Sequence, residues 1–282
     1  MTLESEDPST DPIPSTPSPY DMRSIAPTVC GVLGVRPPSS AEAEAIAEAV
    51  RPLGVVEHLA VVVLDAFGIS TWRRVKAVTP TFNALAERHS LIIRAVYPTI
   101  TPVNFATMVT GAGPERHGIR ERTQRIRLET VFDVLREGEM TSATAARALS
   151  SLGMLISPHV DQPGIAASNR DEEVCRIALE ALERGVNLLW VQLLDVDEAG
   201  HRYGPLSREG REAAARCDRH LRAIAEAAER RGFSLIALAD HGQHGEVVDG
   251  VVKGTHGSRR EEDLYVPLLW RGHREIGGVL KP

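Results

Sequence analysis

Residues 58–68 read HLAVVVLDAFG: six apolar residues in a row, Leu59 to Leu64, followed at once by an aspartate and, three residues later, a glycine. An uninterrupted Val/Leu run, unlike an alternating one, marks a strand buried on both faces, as in a parallel sheet. The same design recurs along the chain. SLIIRAVYP (90–98) leads toward Thr101, VNLLWVQLLDVD (186–197) ends at Asp197, and FSLIALADHG (233–242) carries Asp240 and His241 near its end. Between these runs lie helical patterns at 81–89, 128–137 and 171–185, and a long amphipathic stretch from about Arg208 to Arg230. Strand alternating with helix predicts an α/β protein, a three-layer α/β/α sandwich around a mainly parallel central sheet. GEVVDGVVKG (245–254) reads as a small hairpin and DLYVPLLW (263–270) as a further strand.

The opening segment MTLESEDPSTDPIPSTPSPY cannot bury enough apolar surface to offset its ordering entropy, so residues 1–21 are expected to form a disordered acidic tail. A single domain is expected over 22–282, beginning with a helix through SIAPTVCGVLGV (24–35). A second helix is expected to follow the Ser39–Ser40 cap through AEAEAIAEAV (41–50). The net charge is −6, but Glu4, Glu6, Asp7, Asp11 and Asp21 sit in the tail without a compensating Lys or Arg, which leaves about −1 for the body. A nearly neutral body with 4% aromatic residues lacks the basic footprint and stacking platforms of a nucleic-acid binder. Three cysteines far apart in the chain form no disulfide framework. No run approaches the roughly 18 apolar residues of a membrane span, and no signal-peptide pattern opens the chain. These features predict a cytoplasmic protein with no membrane partner.

Seven side chains carry the chemistry: Asp65, Thr101, Asp197, His201, Asp240, His241 and His256. Taken singly, each has a bland reading. Asp65 after a strand suits a cap or a turn; Asp197 and His201, four apart, suit a surface ion pair on one helix face. The DHG of 240–242 is either a capping turn or two ligands side by side, and His256 in GTHGS is an ordinary loop histidine. Together, three carboxylates and three imidazoles at successive strand ends suffice for two divalent metals, with a threonine hydroxyl between them as nucleophile.

Their order is also suggestive. Asp65 after the first strand, YPTITPVNFATMVTG (97–111), P-x-x-HGI at Pro114–Ile119, DVDEAGHRYGP (195–205), ADHG (239–242) and THGS (255–258) follow one another over roughly residues 58–271. The succession resembles the alkaline phosphatase superfamily, and within it the type I phosphodiesterase/nucleotide pyrophosphatase branch. The resemblance implies one metal site of Asp197, His201 and His256 and another of Asp65, Asp240 and His241, with Thr101 as nucleophile bridging toward both. It implies zinc in both sites, with manganese as the second choice. It assigns the Asn104 amide to a non-bridging phosphoryl oxygen and gives His117 a structural place; Arg94, Arg116, Arg120, Arg122 and Lys253 are phosphate contacts by position alone.

The implied activity is hydrolysis of phosphodiester or pyrophosphate-like bonds of a small-molecule phosphate ester through a covalent phospho-threonine. The alternatives are a phosphomonoesterase, a phosphonate C–P hydrolase with the same metal cage, and a non-catalytic relative of the fold. About 95 residues separate Thr101 from Asp197, too ordinary in pattern for a cap domain, and no CxPxR segment offers a sulfatase nucleophile.

Overall fold

The structure, a computed structural model, describes residues 16–273. Strand β1 (Leu59–Leu64) is buried along its whole length, as its unbroken apolar run requires. It pairs in parallel with β5 (Leu188–Leu193) on one side and β6 (Ser234–Leu238) on the other. Beyond β5 lie β3 (Ser142–Arg147) and β4 (Gln162–Ala166), both parallel to their neighbours. Beyond β6 lies β9 (Tyr265–Arg271), which runs antiparallel both to β6 and to β2 (Ser90–Arg94). The seven-stranded order is therefore β2-β9-β6-β1-β5-β3-β4, with β9 reversed within an otherwise parallel sheet. The expected hairpin is a separate two-stranded unit, β7 (His244–Val248) and β8 (Val251–Thr255).

Helices cover the sheet in two layers. One contains α1 (Ile25–Leu33), α2 (Ala47–Leu53), α5 (Thr101–Thr110) and α7 (Val131–Glu137); α1 touches β1 and the other three helices of this group. The other contains α4 (Pro80–Ala86), α8 (Asp171–Arg184), α9 (Asp195–Tyr203) and α10 (Arg208–Arg230), and α10 reaches β1 and β6. Short helices α3 (Ile69–Val75), α6 (Pro114–His117) and α11 (Glu261–Leu264) complete the connections. The stretch between Thr101 and Asp197 contributes β3, β4 and β5 to the same sheet. No described helix is long and apolar enough to cross a membrane.

Two boundaries differ from expectation. Residues 1–15 of the acidic segment lie outside the described residues, but contact with the sheet already begins before Met22. The Ser18 amide and hydroxyl both donate to the Ile92 carbonyl, at 2.8 and 2.7 Å, and Asp21 bridges Arg94. Helix α2 starts at Ala47 instead of directly after Ser40, because the residues before it are tied elsewhere. The Glu42 amide donates to the Gly111 carbonyl, the Glu42 carboxylate accepts the Gly113 amide, and the Ile46 amide donates to the Thr28 hydroxyl. Tertiary hydrogen bonds here override a strong local helix preference.

Candidate metal centre

The seven side chains meet at the carboxyl ends of the central strands. Asp65 directly follows β1, Asp240 and His241 follow β6, and Asp197 and His201 project from α9, which begins two residues after β5. Thr101 opens α5, and His256 directly follows β8. The turns after β1 and β6 touch backbone to backbone: a Cβ on Gly68 would strike the Gly242 Cα, and one on Gly242 would strike the Glu262 carbonyl. Ala66 adopts a left-handed conformation (φ 58°), and its amide donates to Asp240 Oδ1 at 3.2 Å. Such a conformation costs a non-glycine residue of order 1 kcal/mol or more and persists only where its surroundings impose it.

Two clusters result. His201 Nε2 lies 3.2 Å from Asp197 Oδ1 and 3.1 Å from His256 Nε2, and His256 Nε2 lies 3.6 Å from Asp197 Oδ1. His241 Nε2 lies 3.3 Å from Asp240 Oδ2 and 3.6 Å from Asp65 Oδ1. Thr101 Oγ1 stands 3.1 Å from His241 Nε2 and 3.4 Å from Asp65 Oδ1. Ligand atoms at about 2.0–2.1 Å from one tetrahedral ion stand roughly 3.3–3.4 Å apart, so both clusters have the spacing of a metal's ligand shell. Each histidine uses Nδ1 against a backbone carbonyl, His201 to Gly254 (2.9 Å), His256 to Thr99 (2.9 Å) and His241 to Gly242 (3.0 Å). That fixes the tautomer and leaves each Nε2 lone pair facing its cluster. Asp240 Oδ2 is buried with no hydrogen-bond partner among the described residues. An orphaned carboxylate oxygen facing an imidazole lone pair has the character of a cation ligand.

The electrostatics agree. Burial, then the Asp240 and Asp197 charges, push the Asp65 carboxyl well above its ordinary range. Burial chiefly pushes Asp240 up to about 7. Burial would raise Asp197 too, but the hydrogen bond with His201 and the three nearby imidazoles carry it below the usual carboxylate value. His201 is raised, through its hydrogen bond with Asp197, while burial lowers His241 and brings His256 down to about 4. In the Asp65–Asp240–His241 group, two crowded carboxylates that resist ionisation beside an imidazole held neutral call for added positive charge.

Asn104 departs from its expected role. It is fully buried, its Oδ1 accepts the Val96 amide at 2.8 Å, and its Nδ2 donates to the Val96 and Ile100 carbonyls at 3.3 and 3.2 Å. With both ends of the carboxamide engaged by backbone, it shapes the 96–101 loop that presents Thr101 and offers nothing to a phosphoryl oxygen. His117 takes its structural place: Ile119 donates to its Nδ1 at 3.0 Å, and its Nε2 lies 3.0 Å from the Thr107 hydroxyl. Of the arginines singled out by position, Arg116 and Arg120 turn to Glu42 and Glu115, each at 3.6 Å.

Three residues that hold the site were not singled out by sequence. Gln192 on β5 donates to Asp65 Oδ2 at 2.5 Å. Gln243, 3% exposed, donates to Asp197 Oδ1 at 3.3 Å and packs against Gly200 and Gly254. Arg147 at the end of β3 is 1% exposed and reaches Asp171 and Asp195 at 2.7 and 2.6 Å. Its Nη1 lies 2.8 Å from Glu198, close enough for charge attraction but outside hydrogen-bonding alignment. Gln192 had one signal, a polar residue inside an apolar strand; the other two had none apart from their contacts.

Comparison with known proteins adds a second line. A profile of the family described as type I phosphodiesterase / nucleotide pyrophosphatase matches residues 59–140 and 141–256. Venom phosphodiesterase 2 from Crotalus adamanteus is 26% identical over 215 residues, covering 64% of this chain and 26% of its own length. The chain thus spans about a quarter of that curated relative. Murine ectonucleotide pyrophosphatase / phosphodiesterase 5, solved as an inactive threonine-to-alanine form in complex with AMP, superposes with a TM-score of 0.57 at 18% identity, over 67% of this chain and 58% of its own. Phosphonoacetate hydrolase from Sinorhizobium meliloti 1021, solved with phosphonoacetate, gives 0.54 at 17% identity, over 68% and 58%. Both structures share the fold.

Proposed function

The chain belongs to the type I phosphodiesterase / nucleotide pyrophosphatase family, and from that premise we propose that it hydrolyses phosphodiester or pyrophosphate-like bonds through a covalent phospho-threonine on Thr101. Two divalent ions would be held by Asp197, His201 and His256 and by Asp65, Asp240 and His241, the two groups whose ligand atoms lie within 4.8 Å of one another. The observation that carries the reading is the place of Thr101 Oγ1, 3.1 Å from His241 Nε2 and 3.4 Å from Asp65 Oδ1 at the first turn of α5. Bound ions supply the charge that lowers the pKa of a hydroxyl and stabilises phosphoryl oxygens. Mixed nitrogen and oxygen ligands favour zinc, and manganese tolerates the same set.

The residues of the chain do the rest. Thr101 Oγ1 gives up its proton and forms a bond to phosphorus as the bond to the leaving oxygen breaks, and the leaving group departs as an alcohol or phosphate. Water then attacks the same phosphorus and breaks its bond to Oγ1, which regains a proton. The first-turn amides of α5 lack carbonyl partners within the helix and favour the anion during both steps. Asn104 and Thr99 hold the approach loop, Thr99 by donating to the Ser258 carbonyl at 2.8 Å. The murine neighbour's inactive threonine-to-alanine form with AMP supports a threonine nucleophile and a phosphate-ester ligand. The phosphonoacetate hydrolase neighbour supports a second reading, C–P hydrolysis by the same cage.

The test compares bis(p-nitrophenyl) phosphate, p-nitrophenyl phosphate and phosphonoacetate as substrates, alongside metal content. We expect about two zinc or manganese ions per chain and turnover of the diester above the monoester. Thr101→Ala should lose at least about 1,000-fold in kcat while keeping its metal. A variant that retained near-normal turnover would remove Thr101 from the mechanism, and phosphonoacetate as the fastest substrate would favour the second reading.

A further inference from the structure

Beside the metal centre, on the other side of Gln243, lies a cavity of about 460 Å³ that none of the seven site residues lines. Its wall combines α3, the turn after α9, the start of the β7–β8 hairpin and the turn before α11. Its polar lining includes Thr71, Arg74, His244 and Arg260, with one carboxylate, Glu262. Of these, Thr71 is 3% exposed. Arg74, one helical turn further along α3, and Arg260, just before α11, are both exposed and form no ion pair among the described residues. His244 is 6% exposed, and its Nδ1 is held by Asp263 at 2.7 Å. Opposite these groups the wall is apolar, with Tyr203, Leu206 and Val252, each still 42–51% exposed.

We propose that this cavity is a second ligand site, for a small organic anion whose carboxylate or phosphate head is taken by Arg74, Arg260 and Thr71 and whose apolar body rests on Tyr203, Leu206 and Val252. Two guanidiniums, neither ion-paired among the described residues, outnumber the one carboxylate of the lining, Glu262, and such a pair binds an anionic head group. Concave shape, apolar lining and a few convergent polar groups are the usual marks of a small-molecule site. Carboxylate ligands and phosphate ligands share this chemistry, and only binding separates them.

The site does not depend on the hydrolytic reading, but it touches the same machinery. Gln243 lines the cavity with its side chain while its amide donates to Asp197 Oδ1. A ligand that shifts Gln243 therefore shifts a residue of the metal centre, and by linkage the effect is reciprocal.

Phenylacetate and phenylphosphonate, titrated separately into the full-length metal-loaded protein by calorimetry, supply the test. We expect one-to-one saturable binding of at least one probe. Arg74→Ala and Arg260→Ala should each weaken it by about tenfold or more, and Thr71→Val should do so to a smaller degree; the tighter probe identifies the head group. Both arginines are exposed, so their replacement should leave the melting temperature in place. Absence of saturable binding by either probe, or binding indifferent to both arginine variants, would overturn the site whatever the chain hydrolyses.

Discussion

Asn104 sits three residues from Thr101, the proposed nucleophile, and commits its carboxamide to backbone. Its carboxamide pairs with the Val96 amide and carbonyl and with the Ile100 carbonyl, so Asn104→Ala leaves buried backbone groups unpaired, at about 1–3 kcal/mol. We expect a lower urea midpoint and a fall in kcat with KM nearly unchanged. A variant with normal stability and a raised KM would return the side chain to the substrate. His117 gives a pH signature. Burial, then Arg120, brings its pKa down to about 4, against about 6.5 in an unfolded chain. As pH falls below about 6.5 the unfolded state takes up this proton first, so stability declines until about pH 4 and the contribution then levels off. The whole effect is worth roughly 3 kcal/mol. His117→Gln keeps an acceptor and a donor but cannot titrate, so the wild-type minus variant stability should tilt with pH across that window. Parallel curves would mean that His117 is not held neutral. Residue identity could reveal neither set of partners: a three-residue spacing says two side chains share a region, while the partner of an amide depends on where Val96 and Ile119 come to lie.

Helix α9 carries two of the site residues, and buried charge fixes its first turn. Arg147 from β3, Asp171 from α8 and Asp195 from α9 itself converge, and the Asp195 amide donates to Asp171 Oδ2 at 2.8 Å. Arg216 from α10 closes the group on Asp195, also at 2.8 Å. Arg147→Met removes the central cation and leaves the buried Asp171 carboxylate without a counter-charge, while Asp195 keeps Arg216, a loss of about 3–5 kcal/mol. The exposed Arg176–Glu180 pair on α8 should cost under about 1 kcal/mol when broken the same way. Urea unfolding of the two variants checks the contrast; similar losses would mean that the buried cluster contributes no more than a surface pair. At this scale the sequence spoke unevenly. Apolar runs announced β1, β5 and β6, whereas β3 is SATAAR, buried through small side chains that give no strand signal. Edge strand β4, QPGIA, contains the Pro and Gly that usually argue against a strand. Strong helix formers after a cap also suggested a helix from residue 41, and the bonds to Gly111, Gly113 and Thr28 took that stretch instead.

Across the whole molecule, the parallel order of β6, β1 and β5 brings residues from 65 to 256 into one crevice at the strand ends. Strand ends and polar residue types were legible in sequence; the strand order that makes them neighbours was not, and only the grouping of the ligands came from the resemblance. Convergence has an energetic consequence. Without a cation, Asp65 and Asp240 are buried together, both resisting ionisation, and Asp240 Oδ2 has no partner among the described residues. With one, binding to the folded state alone adds about 4 kcal/mol per site at roughly 1,000 times Kd. Chelation should therefore lower the melting temperature by on the order of 10 °C, and added zinc should restore it. Asp240→Asn sharpens the test, because an Asn retains the acceptor for the Ala66 amide while removing one buried charge and one ligand. The variant should melt above the wild type after chelation and below it when zinc is in excess. A melting temperature indifferent to chelation, or a variant less stable in both conditions, would mean that these carboxylates are held together by something other than a metal.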